Sequence, residues 1–205
     1  MMPKVCILDY GSGNVRSVYN LLATIVADVE ITNAPGAIEG ASHLILPGVG
    51  AFGASMTKIR SRIPIDVVER EVRNGKPFLG ICVGMQVLAE KGFEFGEHDG
   101  LGWIPGVVDK LESAPNPLPH IGWNSVDFKG SWSPLLESFD THQDFYFVHS
   151  YVFRPRDAGA VVASTEYGET FCSILGRDNV FGVQFHPEKS QKAGRILVQN
   201  FLKQS

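Results

Sequence analysis

The sequence predicts an α/β fold, with a doubly wound, mostly parallel central sheet and an antiparallel extension. Three observations lead there. Short β-rich runs alternate with helically spaced apolar residues through the first half of the chain. One run, FLGI (78–81), is apolar throughout, as strands buried on both faces are. From 102 to 185, strand-like runs follow one another with Gly, Pro and Asn between them. The 205 residues are read as one domain, 1–205, long enough to bury a full core.

Taken in order, KVCILDY (4–10) is the first strand. A Gly-Ser-Gly turn follows, Asn14 stands where an N-cap is expected, and Val15, Val18, Leu21, Leu22 and Ile25 recur at helical spacing. DVEIT (28–32) and HLILP (43–47) are further strands. A helical stretch across 53–74 stops at Asn74-Gly75, with Pro77 beyond, and FLGI comes next. The second half supplies GVVDKLE, FYFVHSYVF, AVVAST, FCSIL and VFGVQF, expected to pair antiparallel and join one edge of the parallel sheet. APNPLP (114–119) is a rigid loop between them. A last helix over 190–202 turns Ala193, Ile196, Leu197 and Phe201 inward.

Composition narrows the function. The net charge of −4, without blocks of like charge, argues against a nucleic-acid surface. No apolar run approaches the ~18 residues of a membrane span, and the N-terminal apolar stretch is too short for a signal sequence. A cytoplasmic location is expected. Cys6, Cys82 and Cys172 are widely spaced without a C-x-x-C pair, which disfavours a disulfide framework or a zinc ribbon.

The chemistry centres on FLGICVGMQVLAE (78–90). Gly80-Ile81-Cys82-Val83-Gly84 is the nucleophile elbow G-x-S-x-G with cysteine in the serine place. A strained strand-to-helix turn presses its −2 and +2 neighbours together, where a Cβ would clash. It also lifts the sulfur above the sheet's carboxyl edge at a helix N-terminus, which favours the thiolate. The bland alternative is a small buried hydrophobe, and that reading is accepted for Cys6 and Cys172. A base is available where VFGVQF runs into His186-Pro187-Glu188: two residues apart on an extended chain, Glu188 and His186 face one way. His43 reads as structural, and His98 and His142 as solvated. HPE also matches half of the zinc-deaminase signature, but P-C-x-x-C is absent.

LILPGVGAFG (44–53) contains G-x-G-x-x-G, yet it follows a third strand, and position 70 falls in the charged helical VVEREVRNG. The loop fits an oxyanion hole better than a pyrophosphate site. Gly50 would offer one N–H after rotating through φ > 0, and Val83, next to the nucleophile, the other.

PGVGAFG, GICVGMQ and FHPEKS, in this order, resemble the class I (triad-type) glutamine amidotransferases across essentially the whole chain. DYGSGN (9–14), PHIGWN (119–124), YFVHSY (146–151) and HPEKS (186–190) resemble the glutaminase subunits of imidazole glycerol phosphate synthase within that family. The resemblance implies a class I glutamine amidotransferase-like fold and a Cys82–His186–Glu188 triad hydrolysing glutamine. It implies no cofactor and no metal. Ammonia would pass to a partner cyclase, a (β/α)₈ barrel, in a heterodimer serving histidine biosynthesis. It further implies glutamine contacts from Gly50, Gln86, Glu94 and the Ser150-Tyr151 backbone. At the partner face it places Asn14, His120, Trp123, Tyr146 and Lys189. Glu94 is otherwise a solvated loop carboxylate, Trp123 a core aromatic and Tyr146 a strand residue with a satisfied hydroxyl. Two other readings stay open: the glutaminase of another synthase, and a silent binding module on the same fold. PHIGWN speaks against the first, the complete triad against the second.

Overall fold

The computed structural model describes residues 3–26, 28–128 and 133–204. The first half winds helices around four parallel strands, β1 (Lys4–Ile7), β2 (Asp28–Ile31), β3 (His43–Gly48) and β4 (Phe78–Cys82). Between them run α1 (Val15–Ala23), α2 (Pro35–Gly40), α3 (Phe52–Arg62) and α4 (Ile65–Arg73). The helical stretch expected across 53–74 is therefore two helices. Ile63 precedes Pro64 and adopts φ −104°, ψ 132°, since the proline ring crowds an α-helical neighbour. α4 ends as expected at Gly75, whose φ is +97°.

A four-residue helix, α5 (Val83–Gln86), follows β4 at once. The next strands are β5 (Lys91–Gly92), β6 (His98–Asp99), β7 (Gly106–Lys110), β8 (His120–Asp127), β9 (His142–His149) and β10 (Tyr151–Pro155). β11 (Val161–Tyr167), β12 (Glu169–Arg177), β13 (Val180–Val183) and α6 (Gln191–Phe201) complete the chain. The large sheet has nine strands in the order β2-β1-β3-β4-β13-β12-β11-β8-β9. β13 extends the parallel part beside β4, and β12, β11, β8 and β9 add on antiparallel.

A smaller sheet, β10-β7-β5-β6, was not foreseen. FYFVHSYVF looks like one strand, but it leaves the large sheet after His149 and enters the small one at Tyr151, with Ser150 as the corner. β8 also escaped sequence reading, because Gly122 and Asn124 dilute its strand character. On α6, Val198 is buried and Ile196 only half-buried, reversing that part of the expected inner face. The core is one contiguous cluster in which β1, β3, β4 and β13 bury nearly every side chain. That burial on both faces fixes the heights at which β3, β4 and β13 end, and the site is built on those ends.

Candidate active site

Cys82 ends β4 with φ +55° and ψ −112°, a conformation that non-glycine residues rarely adopt. Its glycine neighbours have steric reasons to be glycine. A Cβ at Gly80 would run into the Gly84 carbonyl, and one at Gly84 into the Leu46 carbonyl of β3. The glycine-rich loop meets the same elbow: a Cβ at Gly48 would lie 2.7 Å from both the Gly84 nitrogen and the Tyr10 hydroxyl. Gly50 is different. Among the described residues nothing lies within 4 Å of a Cβ built there, but its φ is +100°. Conformation, not space, demands glycine at that position.

His186 follows β13, held by its own N–H to the Tyr146 carbonyl at 2.9 Å and by the Ser190 hydroxyl on its carbonyl at 2.7 Å. Its Nδ1 lies 2.8 Å from Glu188 Oε1, with both side chains buried. The route to this contact differs from the extended chain inferred from spacing. Pro187–Lys189 forms a 3₁₀ turn, which folds the carboxylate back onto the imidazole. Burial pulls the His186 pKa down, but hydrogen bonding and charge from Cys82 and Glu188 outweigh it and raise it to about 10. With Nδ1 facing Glu188, Nε2 is the nitrogen left for proton exchange with Cys82.

Cys82, His186, Gly50, Val83, Gln86, Glu94, Ser150 and Tyr151 line one cavity of about 180 Å³, together with Val148, His149, Val49 and Lys189. A larger cavity of about 570 Å³, near Trp103 and Arg177, has no cysteine in its lining. Glu94 is no free loop carboxylate, because its Oε2 accepts from the Phe52 N–H at 2.8 Å. Gln86 donates its amide to the Tyr151 carbonyl at 2.9 Å and to Gln184 Oε1 at 3.1 Å, leaving its amide oxygen for a bound molecule. Gln184 went unnoticed in the sequence. It is fully buried, and its Nε2 lies 3.7 Å from the Cys82 sulfur. The signal was a lone amide within an apolar strand, where a buried polar group must find a partner.

The residues assigned to a partner face divide. Trp123 is 49% exposed on β8 and meets the Tyr146 ring edge-on at 6.0 Å, so it is not a core aromatic. Lys189 Nζ sits 5.6 Å from the Tyr146 ring, joining this face to the cavity. His120 does not belong there. It is 2% exposed, stacked on Tyr167 at 3.9 Å, and so is buried within this chain. Asn14 is half-buried at the N-cap position of α1, and its amide turns to Glu188 Oε1 at 3.2 Å, tying it to the histidine–carboxylate pair.

A cysteine on a strained elbow, paired with a carboxylate-bound histidine beside a cavity, is the layout of a nucleophilic amide hydrolase. Residues 6–204 match the family Glutamine amidotransferase class-I, and the chain belongs to it. It is 48% identical to the imidazole glycerol phosphate synthase subunit HisH of Salinibacter ruber, over 95% of this chain and 92% of that one. It is 43% identical to the subunit of the same name from Rhodospirillum rubrum, over 98% of each. Among solved structures, PurLQS from Thermotoga maritima aligns with a TM-score of 0.75 at 18% identity, over 99% of each chain, a likeness of fold.

Proposed function

We propose that this chain is the glutaminase subunit of an imidazole glycerol phosphate synthase, with residues 1–205 acting as one amidotransferase domain. The observation that carries the chemistry is Cys82, held at φ +55° in the cavity that His186 also lines. The Cys82 sulfur attacks the side-chain amide carbon of glutamine and forms a C–S bond. The Val83 and Gly50 N–H groups stabilise the oxyanion. As the C–N bond breaks, His186 gives its Nε2 proton to the departing nitrogen, which leaves as ammonia. Glu188 holds the imidazolium. Water, losing a proton to His186, then splits the thioester to glutamate and restores the thiol. No step needs a metal or cofactor.

The names borne by the relatives support the subfamily, and hence a heterodimer with a (β/α)₈ cyclase that consumes the ammonia. Trp123, Tyr146 and Lys189 form the face offered to that partner. The Val49–Gly50 peptide, exposed and pivoting on a glycine, is the element through which the partner switches glutaminase activity on. Among the described residues no helix is long and apolar enough to cross a membrane, and the proposed location is the cytoplasm. The test is glutamate release from glutamine by the chain alone and with a cyclase plus its nucleotide ligand. Strong stimulation by that pair is expected. Activity indifferent to the partner would point to another synthase, and no glutamate in either arm would refute the reading.

A further inference from the structure

Two buried histidines outside the triad are joined ring to ring, with His120 Nδ1 2.9 Å from His149 Nε2. One nitrogen must donate and the other accept, and the surroundings decide which. Asn124 Oδ1 accepts from the Ser125 N–H at 2.8 Å, which puts its amide nitrogen on the other side. That nitrogen lies 3.0 Å from the Glu166 carbonyl oxygen and 3.2 Å from His120 Nε2. An amide nitrogen only donates, so His120 Nε2 accepts and the His120 proton sits on Nδ1. His149 Nε2 receives that bond. The His149 proton then sits on its own Nδ1, 3.0 Å from the Tyr151 carbonyl oxygen.

The chain of bonds thus runs one way, from Asn124 to Tyr151, and requires both rings to be neutral. Burial lowers the His120 pKa to about 4 and the His149 pKa to about 3. For His149 burial is the largest cause, His120 and His186 act in the same direction, and the Tyr151 carbonyl pulls the other way. The Tyr151 carbonyl also takes the Gln86 amide. Tyr151 opens β10 just after Ser150, the corner between the two sheets, and both line the cavity beside Cys82.

We infer that His120 and His149 are positioning residues whose one-way hydrogen-bond chain fixes the Ser150–Tyr151 corner as the wall that seats glutamine. The inference rests on the glutaminase reading for the identity of the substrate. Neither ring has to touch the reacting atoms.

The first test needs no variant. Imidazole nitrogen NMR of the full chain should show both rings as neutral Nδ1–H tautomers from about pH 6 to about pH 8. An Nε2–H tautomer or an imidazolium at either position would overturn the inference. The second test is kinetic, in the complex with the cyclase. Asn124→Asp faces His120 Nε2 with an acceptor and reverses the chain without touching the cavity. KM for glutamine should rise about tenfold, with kcat changed less than about threefold. His149→Asn, whose amide keeps a donor near the Nδ1 position, should recover part of the KM that His149→Ala loses. Labelling of Cys82 by a glutamine-shaped diazoketone should slow in Asn124→Asp, while labelling by iodoacetamide should not. An unchanged KM in folded Asn124→Asp, or equal slowing with both reagents, would overturn the inference. A wild-type chain with the expected tautomers but no glutamate release would instead bring down the glutaminase reading, and the substrate role with it.

Discussion

The end of β4 and the middle of β12 each hold a buried cysteine, and their difference shows what separates a nucleophile from a core side chain. Exposure does not separate them, since Cys82 is 4% and Cys172 6% exposed. Backbone and neighbours do. Cys172 lies within an antiparallel strand, beside a slip in the β11–β12 register, where burial pushes its pKa up to about 12 and its thiol rests on the Ile174 carbonyl at 3.4 Å. Cys82 is held in a conformation its side chain disfavours, lines a cavity, and has beside it an imidazole that Glu188 keeps ready to be charged. The same residue type, equally hidden from water, is inert in one place and reactive in the other.

The largest effect should come from removing one sulfur or the other. Cys82→Ala should lower glutamate release in the cyclase complex by at least about 10⁴-fold, since no other group can form the thioester. Cys172→Ala should leave turnover within about twofold of wild type. Equal effects at the two positions would break the comparison. Next in size is Glu188→Gln, which should reduce turnover about 10³-fold by letting the imidazole lose its orientation and its charge partner. This variant also bears on stability. The folded His186 pKa, about 10, lies above its ordinary value, so its stabilising effect is complete below about pH 6.5 and is lost as pH rises towards 10. Melting temperature should therefore fall across that window in the wild type. In Glu188→Gln the fall should end at lower pH and be smaller.

The same contrast explains how much could be read from the sequence. The elbow was legible because its requirements are local: Gly80 and Gly84 flank Cys82 within five residues, and each is required by a backbone carbonyl that a Cβ would strike. The wall opposite was not. Nothing in FYFVHSYVF marks Ser150 as the point where the chain changes sheets, because pairing partners set that break, Lys110 taking Tyr151 and His120 taking His149. His120 illustrates the cost. Motif resemblance carried it to a partner face, while the fold stacks it on Tyr167 inside the chain. Asn14 could be placed at the start of α1 from its type, but only the tertiary fold brings Glu188 to its amide.

A smaller effect sharpens the comparison through glycines. Gly84→Ala should cost at least about 3 kcal/mol, because the obstacle is the Leu46 backbone, pinned within the buried sheet. Gly176→Ala, in β12, should cost about 1 kcal/mol or less, since its nearest obstacles, 3.1 Å away or more, are the side chains of Val162 and Phe181. Urea midpoints of the two variants test this, and equal losses would mean the elbow is no more tightly built than the strand.

The smallest effect is the most diagnostic of strain. Replacing Cys82 by glycine deletes a side chain that lines a cavity, so little packing is lost, and it relaxes a φ of +55° that costs about 1–3 kcal/mol in a non-glycine residue. Glycine's greater freedom in the unfolded chain takes back about 0.5–1 kcal/mol. Cys82→Gly should therefore lie within about 1 kcal/mol of wild type while losing all turnover. Cys172→Gly has no strain to release. It should lose about 2 kcal/mol from the missing buried sulfur and the weakened strand, and keep its activity. Equilibrium denaturation of both variants decides the matter. If Cys82→Gly were the more damaged of the two, the turn at the end of β4 would be ordinary structure, and the reactivity of Cys82 would owe nothing to how its backbone is held.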